Sequence, residues 1–379
     1  MRMLLGALAL AASILHTSTR AGQVQTIYTS PAHRTIAAFA QDGALVAWFA
    51  PRPRADSKGC NEVWLWQLGS ARQPLPAEGP KNHNVTCGWQ VPAGSPVGLA
   101  VAGNGGAPAL LWTLHESAAQ ALKFDYVLGA TVADPRERRF QEVAHANHGA
   151  GLWLGGVAGS GGTLVYAVAQ VAYRDQVACL STPKEPGACD LKVTDGGIYR
   201  IVGRKAPIKI DGAKPAVMVA ASSNDVAYVP ASGAATADGR PLASAAVPVE
   251  VLDVDSGSRV ASVSVQSTPV AIGLSTTVLA VLGRSAGRLV LDWFDVVTGK
   301  PLGSLKLPLG AAPTLSVSDS TIVFRVGRSI RAVAVHGKHV RAVARAAATP
   351  IGLSIAGDRV AWAENVAGRG RIRAVTLAP

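Results

Sequence analysis

The sequence predicts an all-β chain built from seven repeats of a four-stranded unit. Three observations carry that prediction. A short apolar strand motif recurs seven times, the strand before each copy is rich in small residues, and hairpin-type turns close the strands after it. The 379 residues are 49% hydrophobic and 16% charged, which is too apolar and too weakly charged for a disordered chain.

The recurring motif is an apolar strand that usually ends in an aromatic residue. It stands at 45–48, 109–112, 163–166, 226–228, 278–281, 321–324 and 360–362. The preceding strands, 97–102, 152–158, 216–221, 271–275 and 352–356, are rich in Gly, Ala and Ser. Five first strands follow a proline (Pro96, Pro215, Pro269, Pro313, Pro350), a residue that suits a strand start because it cannot donate inside a ladder. Third strands end in turns such as Asp253-Val254-Asp255-Ser256-Gly257 and Asp295-Val296-Val297-Thr298-Gly299-Lys300. Asp, Ser or Thr and then Gly is hairpin chemistry. Fourth strands follow at 259–265 and 302–307.

Four strands per unit and about 51 residues per unit predict a seven-bladed β-propeller with four-stranded blades. Innermost strands of a propeller converge on its axis, where only small side chains fit; a solenoid would not impose that taper. The first copy starts near Thr35, which leaves 23–29 as a spare strand. The last copy stops after a third strand at 371–377. The N-terminal strand is therefore expected to supply the missing outer strand and close the ring, making 22–379 a single domain.

Residues 1–21 read as a secretory signal peptide: Arg2, an apolar run over 4–15 that is too short to span a bilayer, and a polar stretch ending at Ala21. A secreted or envelope-exterior chain without a transmembrane span is expected. Its four cysteines, Cys60, Cys87, Cys179 and Cys189, then read as two disulfides, for which three connectivities exist. Cys179 and Cys189 lie ten apart within one long connection, and Cys60 and Cys87 reach the same face from the first copy. The other pairings would have to tie the first blade to the third, beyond the ~7 Å Cα separation a disulfide tolerates.

The copies resemble the secreted WD40-like propeller group that includes TolB-type domains, and the 295–300 turn resembles quinoprotein-type propeller repeats. The resemblance covers nearly the whole mature chain and implies fold only. Quinoprotein dehydrogenases carry adjacent cysteines and a calcium-binding acid cluster that this sequence lacks, so their cofactor and activity are not carried over. The usual Trp of those repeats is also missing, with Gly303 in that stretch.

Other chemical signatures fail. His115-Glu116 opens like a zincin motif, but Ala119 stands where the second His is required. The 253–257 segment opens like a calcium loop, but Gly257 occupies the third ligand position. The glycine stretches at 103–106 and 159–162 join strand to strand and are not phosphate cradles. No Gly-x-Ser-x-Gly elbow occurs. No catalytic residue, metal or cofactor is assigned.

Topology is more informative, because loops after second and fourth strands share one face of a propeller. The long connections 51–61, 174–196 and 230–246 follow second strands, and 79–96 and 144–150 follow fourth strands. All four cysteines, His83, His115, His145 and His148 map to that face, as do Arg174 and Lys184. These six form the expected ligand-binding face, since long ordered loops are usually functional. The stretch 230–246, mostly Ala, Ser, Pro and Gly, is expected to be flexible.

The chain carries 36 Lys and Arg against 24 Asp and Glu. Residues 321–379 hold nine Arg and Lys338 against Asp358 and Glu364. Arg341 and Arg345 are expected on one face of an outer strand, and Arg369, Arg371 and Arg373 on one face of another. The five are a candidate basic patch for an anionic envelope polymer; protection of sheet edges is the competing role. Export argues against nucleic acid. The function expected is a non-catalytic binding or protein-interaction propeller, monomeric. The alternative is a propeller lyase or hydrolase using the axial pocket, metal-assisted if the histidines converge. Resemblance alone adds an envelope-assembly partner of the TolB or outer-membrane scaffold kind.

Overall fold

The structure is a computed structural model that describes residues 22–51, 61–68, 74–76, 98–103, 109–116, 125–132, 152–181, 186–202, 207–236 and 240–378. The signal-peptide segment, Cys60, Cys87, His83, His145, His148 and Lys184 lie outside the described residues. After β1 (Gln25–Thr29), the strands form seven antiparallel sheets among the described residues, each a simple up-and-down meander.

Sheet one holds β2 (Ala38–Asp42), β3 (Leu45–Pro51), β4 (Asn61–Gln67) and β5 (Leu75–Pro76). Sheet two holds β6 (Gly98–Ala102), β7 (Ala109–Glu116) and β8 (Asp125–Val132). Sheet three holds β9 (Leu152–Ser160), β10 (Thr163–Tyr173), β11 (Leu191–Arg200) and β12 (Ile208–Lys209), with the one-turn helix α1 (Gln176–Leu180) between β10 and β11. Sheet four holds β13 (Ala216–Ala221), β14 (Asp225–Pro230), β15 (Val249–Asp253) and β16 (Arg259–Val263). Sheet five holds β17 (Thr268–Leu274), β18 (Val278–Ser285), β19 (Arg288–Asp295) and β20 (Pro301–Lys306). Sheet six holds β21 (Ala311–Val317), β22 (Thr321–Val326), β23 (Ser329–Ala334) and β24 (Val340–Arg345). Sheet seven holds β25 (Ile351–Ala356), β26 (Arg359–Val366) and β27 (Arg369–Thr376), with β1 paired to the outer side of β27. Every copy of the sequence motif is the second strand of its sheet.

The core lies in layers between neighbouring sheets. Val165 and Ile198 of sheet three meet Val226 and Tyr228 of sheet four. Leu291 and Trp293 of sheet five meet Phe324 and Val333 of sheet six. Ala361 and Ile372 of sheet seven meet Val46 and Trp48 of sheet one. The aromatics that end the second strands fill these layers: Trp48, Tyr228, Phe324 and Trp362 are all buried. Each fully buried side chain the size of Phe324 contributes about 1.5–3 kcal/mol.

First strands pack on first strands: β2 against β6, β6 against β9, β9 against β13, and so on through β17, β21 and β25, with β25 packing on β2. Their small residues are a steric requirement. A Cβ on Gly159 would overlap the carbonyl of Val101 in sheet two, and one on Gly352 would overlap that of Phe39 in sheet one. Radial sheets packed along their inner strands make the fold propeller-like.

Two prolines expected to precede strands lie inside them. Pro269 and Pro313 sit where the β17–β18 and β21–β22 registers slip. Pro313 falls in the unpaired stretch between Ala311 and Leu315, where its missing N–H costs no ladder bond, whereas Pro269 stays opposite Gly283 with Val270 as the extra residue beside it.

Candidate functional site

The sheets have two ends. At one, first strands turn into second strands and third into fourth; we call it the tight-turn end. At the other, second strands run into third strands and each sheet hands over to the next; this is the loop end, where the sequence placed the binding face.

At the loop end, sheet three projects. The long β10–β11 hairpin carries α1 at its tip, and Cys179 and Cys189 form a disulfide there, with 4.8 Å between their Cα atoms. That pairing is the one expected. Asp175 caps α1, its Oδ1 accepting the Ala178 N–H at 2.9 Å. Arg174 opens this connection, its N–H donating to the Asp190 carbonyl. The result is a stapled tip on which Val177 and Leu180, three residues apart, are 82% and 65% exposed. Residues that far apart on a helical turn lie side by side.

The 230–246 connection is not a loose loop over its described residues. Ser232 N–H donates to Leu242 O, Leu242 N–H to Ala234 O, and Thr236 N–H to Arg240 O. Val193 N–H of β11 donates to Gly233 O at 2.9 Å, and the Arg240 guanidinium lies 5.8 Å from the Trp153 ring centroid. Ala- and Ser-rich composition suggested flexibility, but backbone pairing with the sheet-three hairpin supplies the order that side chains do not. His115 lies within β7, opposite Tyr126, and not in the loop beyond it.

The basic residues do not form one patch. Ala344 pairs Ile330 and Ala342 pairs Arg331, so Val343 is an extra residue in β24. Arg341 then opposes Ala332 while Arg345 opposes Ser329, and residues three apart on β23 point to opposite faces. Arg341 reaches the tight-turn end and donates to the Ala378 carbonyl at 3.1 Å. Arg373 donates to Glu364 Oε1 at 3.4 Å, neutralising a carboxylate that is 1% exposed and also accepts the Ala347 N–H at 2.8 Å. Arg369, Arg371 and Arg373 do not guard an edge either, because β1 covers β27.

The axial cavity, about 830 Å³, is lined by residues from all seven first strands and from the tight turns of sheets one, four, five, six and seven. The first strands bring mainly apolar residues to its wall. The turns and their flanks instead place Asp42, Asp319, Asp358, Arg359, Thr276 and several Ser residues there. Several of these polar groups clasp neighbouring sheets together. Asp42 Oδ2 accepts the Gly103 N–H at 3.0 Å, Thr163 Oγ1 donates to Ser223 O at 2.7 Å, and Ser316 Oγ accepts the Ile355 N–H at 3.1 Å. Arg359 donates to the Gly43 carbonyl, joining sheet seven to sheet one.

Asp319 accepts from Thr276 Oγ1, Thr277 Oγ1 and Thr277 N. Burial pushes its carboxyl up, but these bonds and one from Ser275 outweigh it and hold it below the usual range. An Asp so saturated is a poor general base. The Tyr166 phenol, stacked on Tyr199, is pushed far up by burial and then by its neighbour, so it stays protonated. Among the described residues no group of three His, Cys, Asp or Glu could hold a metal, and no helix is long and apolar enough to cross a membrane. Polar residues before several second strands, as in Ser222-Ser223-Asn224, Ser275-Thr276-Thr277 and Ser318-Asp319-Ser320, were the sequence signal for such clasps.

No family model matches the chain, and no curated protein matches it in sequence. Solved structures match the chain at low identity. An acylaminoacyl peptidase from Pyrococcus horikoshii matches at 10% identity and a TM-score of 0.50, covering 87% of this chain and 49% of the peptidase, so the chain spans about half that protein's length. BamB from Moraxella catarrhalis matches at 13% identity and a TM-score of 0.40, covering 93% of this chain and 97% of BamB. Sqt1 from Saccharomyces cerevisiae matches at 9% identity and a TM-score of 0.45, covering 93% and 99%.

Proposed function

We propose that the chain is an exported, non-catalytic scaffold that binds a partner protein through its loop end. In this reading the seven sheets are the blades of one closed ring and the β1–β27 pairing is the closure. The observation that carries the binding role is the stapled tip of sheet three. It holds Val177 and Leu180 out in solvent, and the 230–246 connection braces its base. Exposed apolar side chains on an ordered loop mark a contact surface, and a tip already rigid loses little entropy on binding. The disulfide also supports an oxidising compartment, in keeping with export.

The test is capture. The immobilised chain should retain a protein from a cell-envelope extract, and the Val177→Ser/Leu180→Ser variant should retain it about tenfold less or worse, as expected for a central apolar contact. The variant's melting should be unchanged, because both side chains are exposed. Equal retention by both chains refutes the proposal.

A further inference from the structure

Exposed arginines gather at the loop ends of sheets five, six and seven. The tight-turn end mixes both signs, with Asp42, Asp225, Asp253, Asp295, Asp319 and Asp358 beside Lys300, Lys338, Arg341 and Arg359. The loop ends of these three sheets carry six arginines. Arg284 and Arg288 flank the β18–β19 turn, Arg328 sits in the β22–β23 turn and Arg345 ends β24. Arg369 and Arg371 begin β27. Five of the six are exposed and Arg371 is half-buried. None joins an ion pair among the described residues. The one carboxylate described at this end of the three sheets, Glu364, is buried and bonded to Arg373.

Two of the arginines also line a cleft. Arg284, Arg288, Leu289, Leu307, Leu309 and Gly310 enclose about 220 Å³ between the β18–β19 turn and the start of β21. Leu309 stands at its rim, 78% exposed. The Gly327 N–H donates to Gly310 O at 3.0 Å, so the cleft adjoins the Arg328 turn of sheet six.

The geometry points to a docking surface for an anionic phospholipid bilayer, with headgroup phosphates bound by the exposed arginines around these turns, Arg284 and Arg288 on the two faces of the β18–β19 hairpin among them. The guanidinium fork matches phosphate oxygens two at a time, and six of the basic groups on this surface are Arg, with the exposed Lys306 at the end of β20 beside them. The arginines spread over the ends of three adjacent sheets and therefore suit an extended target. Leu309 adds the apolar contact that a bilayer interface rewards and a water-soluble polyanion does not. Peripheral attachment is strengthened by adding apolar contact to basic contacts. The inference goes beyond the partner-protein reading and uses other sheets of the same end.

The mature chain should co-sediment with vesicles of phosphatidylcholine containing phosphatidylglycerol and not with phosphatidylcholine alone, and high salt should release it. Each arginine near an anionic surface changes binding about fivefold, so Arg284→Gln/Arg288→Gln should bind about 25-fold more weakly. Leu309→Ser should weaken binding as well. Arg341→Gln, at the opposite end of sheet six, should bind as the parent does. Equal binding to both vesicle types, an unchanged affinity in the double arginine variant, or retention on soluble polyphosphate without vesicle binding would each overturn the assignment.

Discussion

Gly303→Ala tests whether inter-sheet packing sets the stability of this fold. Gly303 lies on β20 directly opposite Trp293 on β19. A methyl group there would overlap Cζ2 of the indole. The indole has no room to yield: Trp293 is 2% exposed in the layer between sheets five and six, and its Nε1 donates to Val335 O of sheet six at 2.8 Å. Displacing it adds overpacking strain of about 1–3 kcal/mol. Losing the hydrogen bond leaves a buried N–H unpaired, about 1–3 kcal/mol more. Removing a strand glycine returns about 0.5–1 kcal/mol. A net destabilisation of roughly 2–4 kcal/mol follows from these terms. Denaturant unfolding followed by tryptophan fluorescence would measure it. Repeating the change in a Trp293→Phe background should reduce the cost to under ~1 kcal/mol, because the ring atom that clashes is then absent. A neutral or stabilising Gly303→Ala in the parent chain would refute the packing argument.

Four further outcomes follow from the same structure. Deleting residues 23–29 should expose the outer edge of β27 and cause aggregation or a large fall in melting temperature; unchanged melting would refute ring closure by β1. Cys179→Ser/Cys189→Ser should lose ~2–3 kcal/mol from the loop it opens and speed proteolysis within 174–190, with equal cleavage rates counting against a rigid tip. Glu364→Gln should cost about 3 kcal/mol by leaving Arg373 without its carboxylate, and Arg373→Gln in the same chain should recover part of that loss in a double-mutant cycle. Acid should act oppositely at two turns. The lowered Asp319 contributes stability above the ordinary carboxylate value, near 3.9, that is lost as pH falls through its folded pKa, whereas Asp225, raised by burial and then by Asp253, stops opposing folding as it protonates. Asp319→Asn should therefore destabilise and Asp225→Asn stabilise at neutral pH, with both differences shrinking in acid.

The strands were legible because each carries its signal locally. The recurring apolar motif marks second strands, since each must fill a layer on both faces of its sheet. The Gly, Ala and Ser runs mark first strands, since backbone meets backbone at the axis. The 253–257 and 295–300 turns declare themselves through Asp and Gly: Asp253 Oδ1 accepts the Ser256 N–H and Asp295 Oδ1 the Thr298 N–H, both at 2.7 Å, and Gly257 and Gly299 take positive φ. Even the missing repeat tryptophan has its reason in a local pair, because Trp293 on the neighbouring strand occupies the space that Gly303 leaves open.

What escaped the sequence depends on register and on contacts between sheets. One extra residue at Val343 moves Arg345 to the other face from Arg341, and no periodicity within 340–345 announces a bulge. Arg373 looks like its neighbours Arg369 and Arg371 until the fold brings Glu364 beneath it. The 230–246 connection reads as flexible because its order comes from β11, some forty residues upstream. The same limit hid the cluster of arginines at the loop end. Arginines at 284, 288, 328, 345, 369 and 371 are scattered along the sequence, but each falls where a second strand gives way to a third or where a fourth strand ends. In an up-and-down sheet those points share one end, so residues that no linear window connects become neighbours on one surface. Strand parity, counted from the seven motif copies, was sufficient to assign each of them to that end; it could not show which lacked a carboxylate partner, and that distinction separates a docking surface from a set of structural ion pairs.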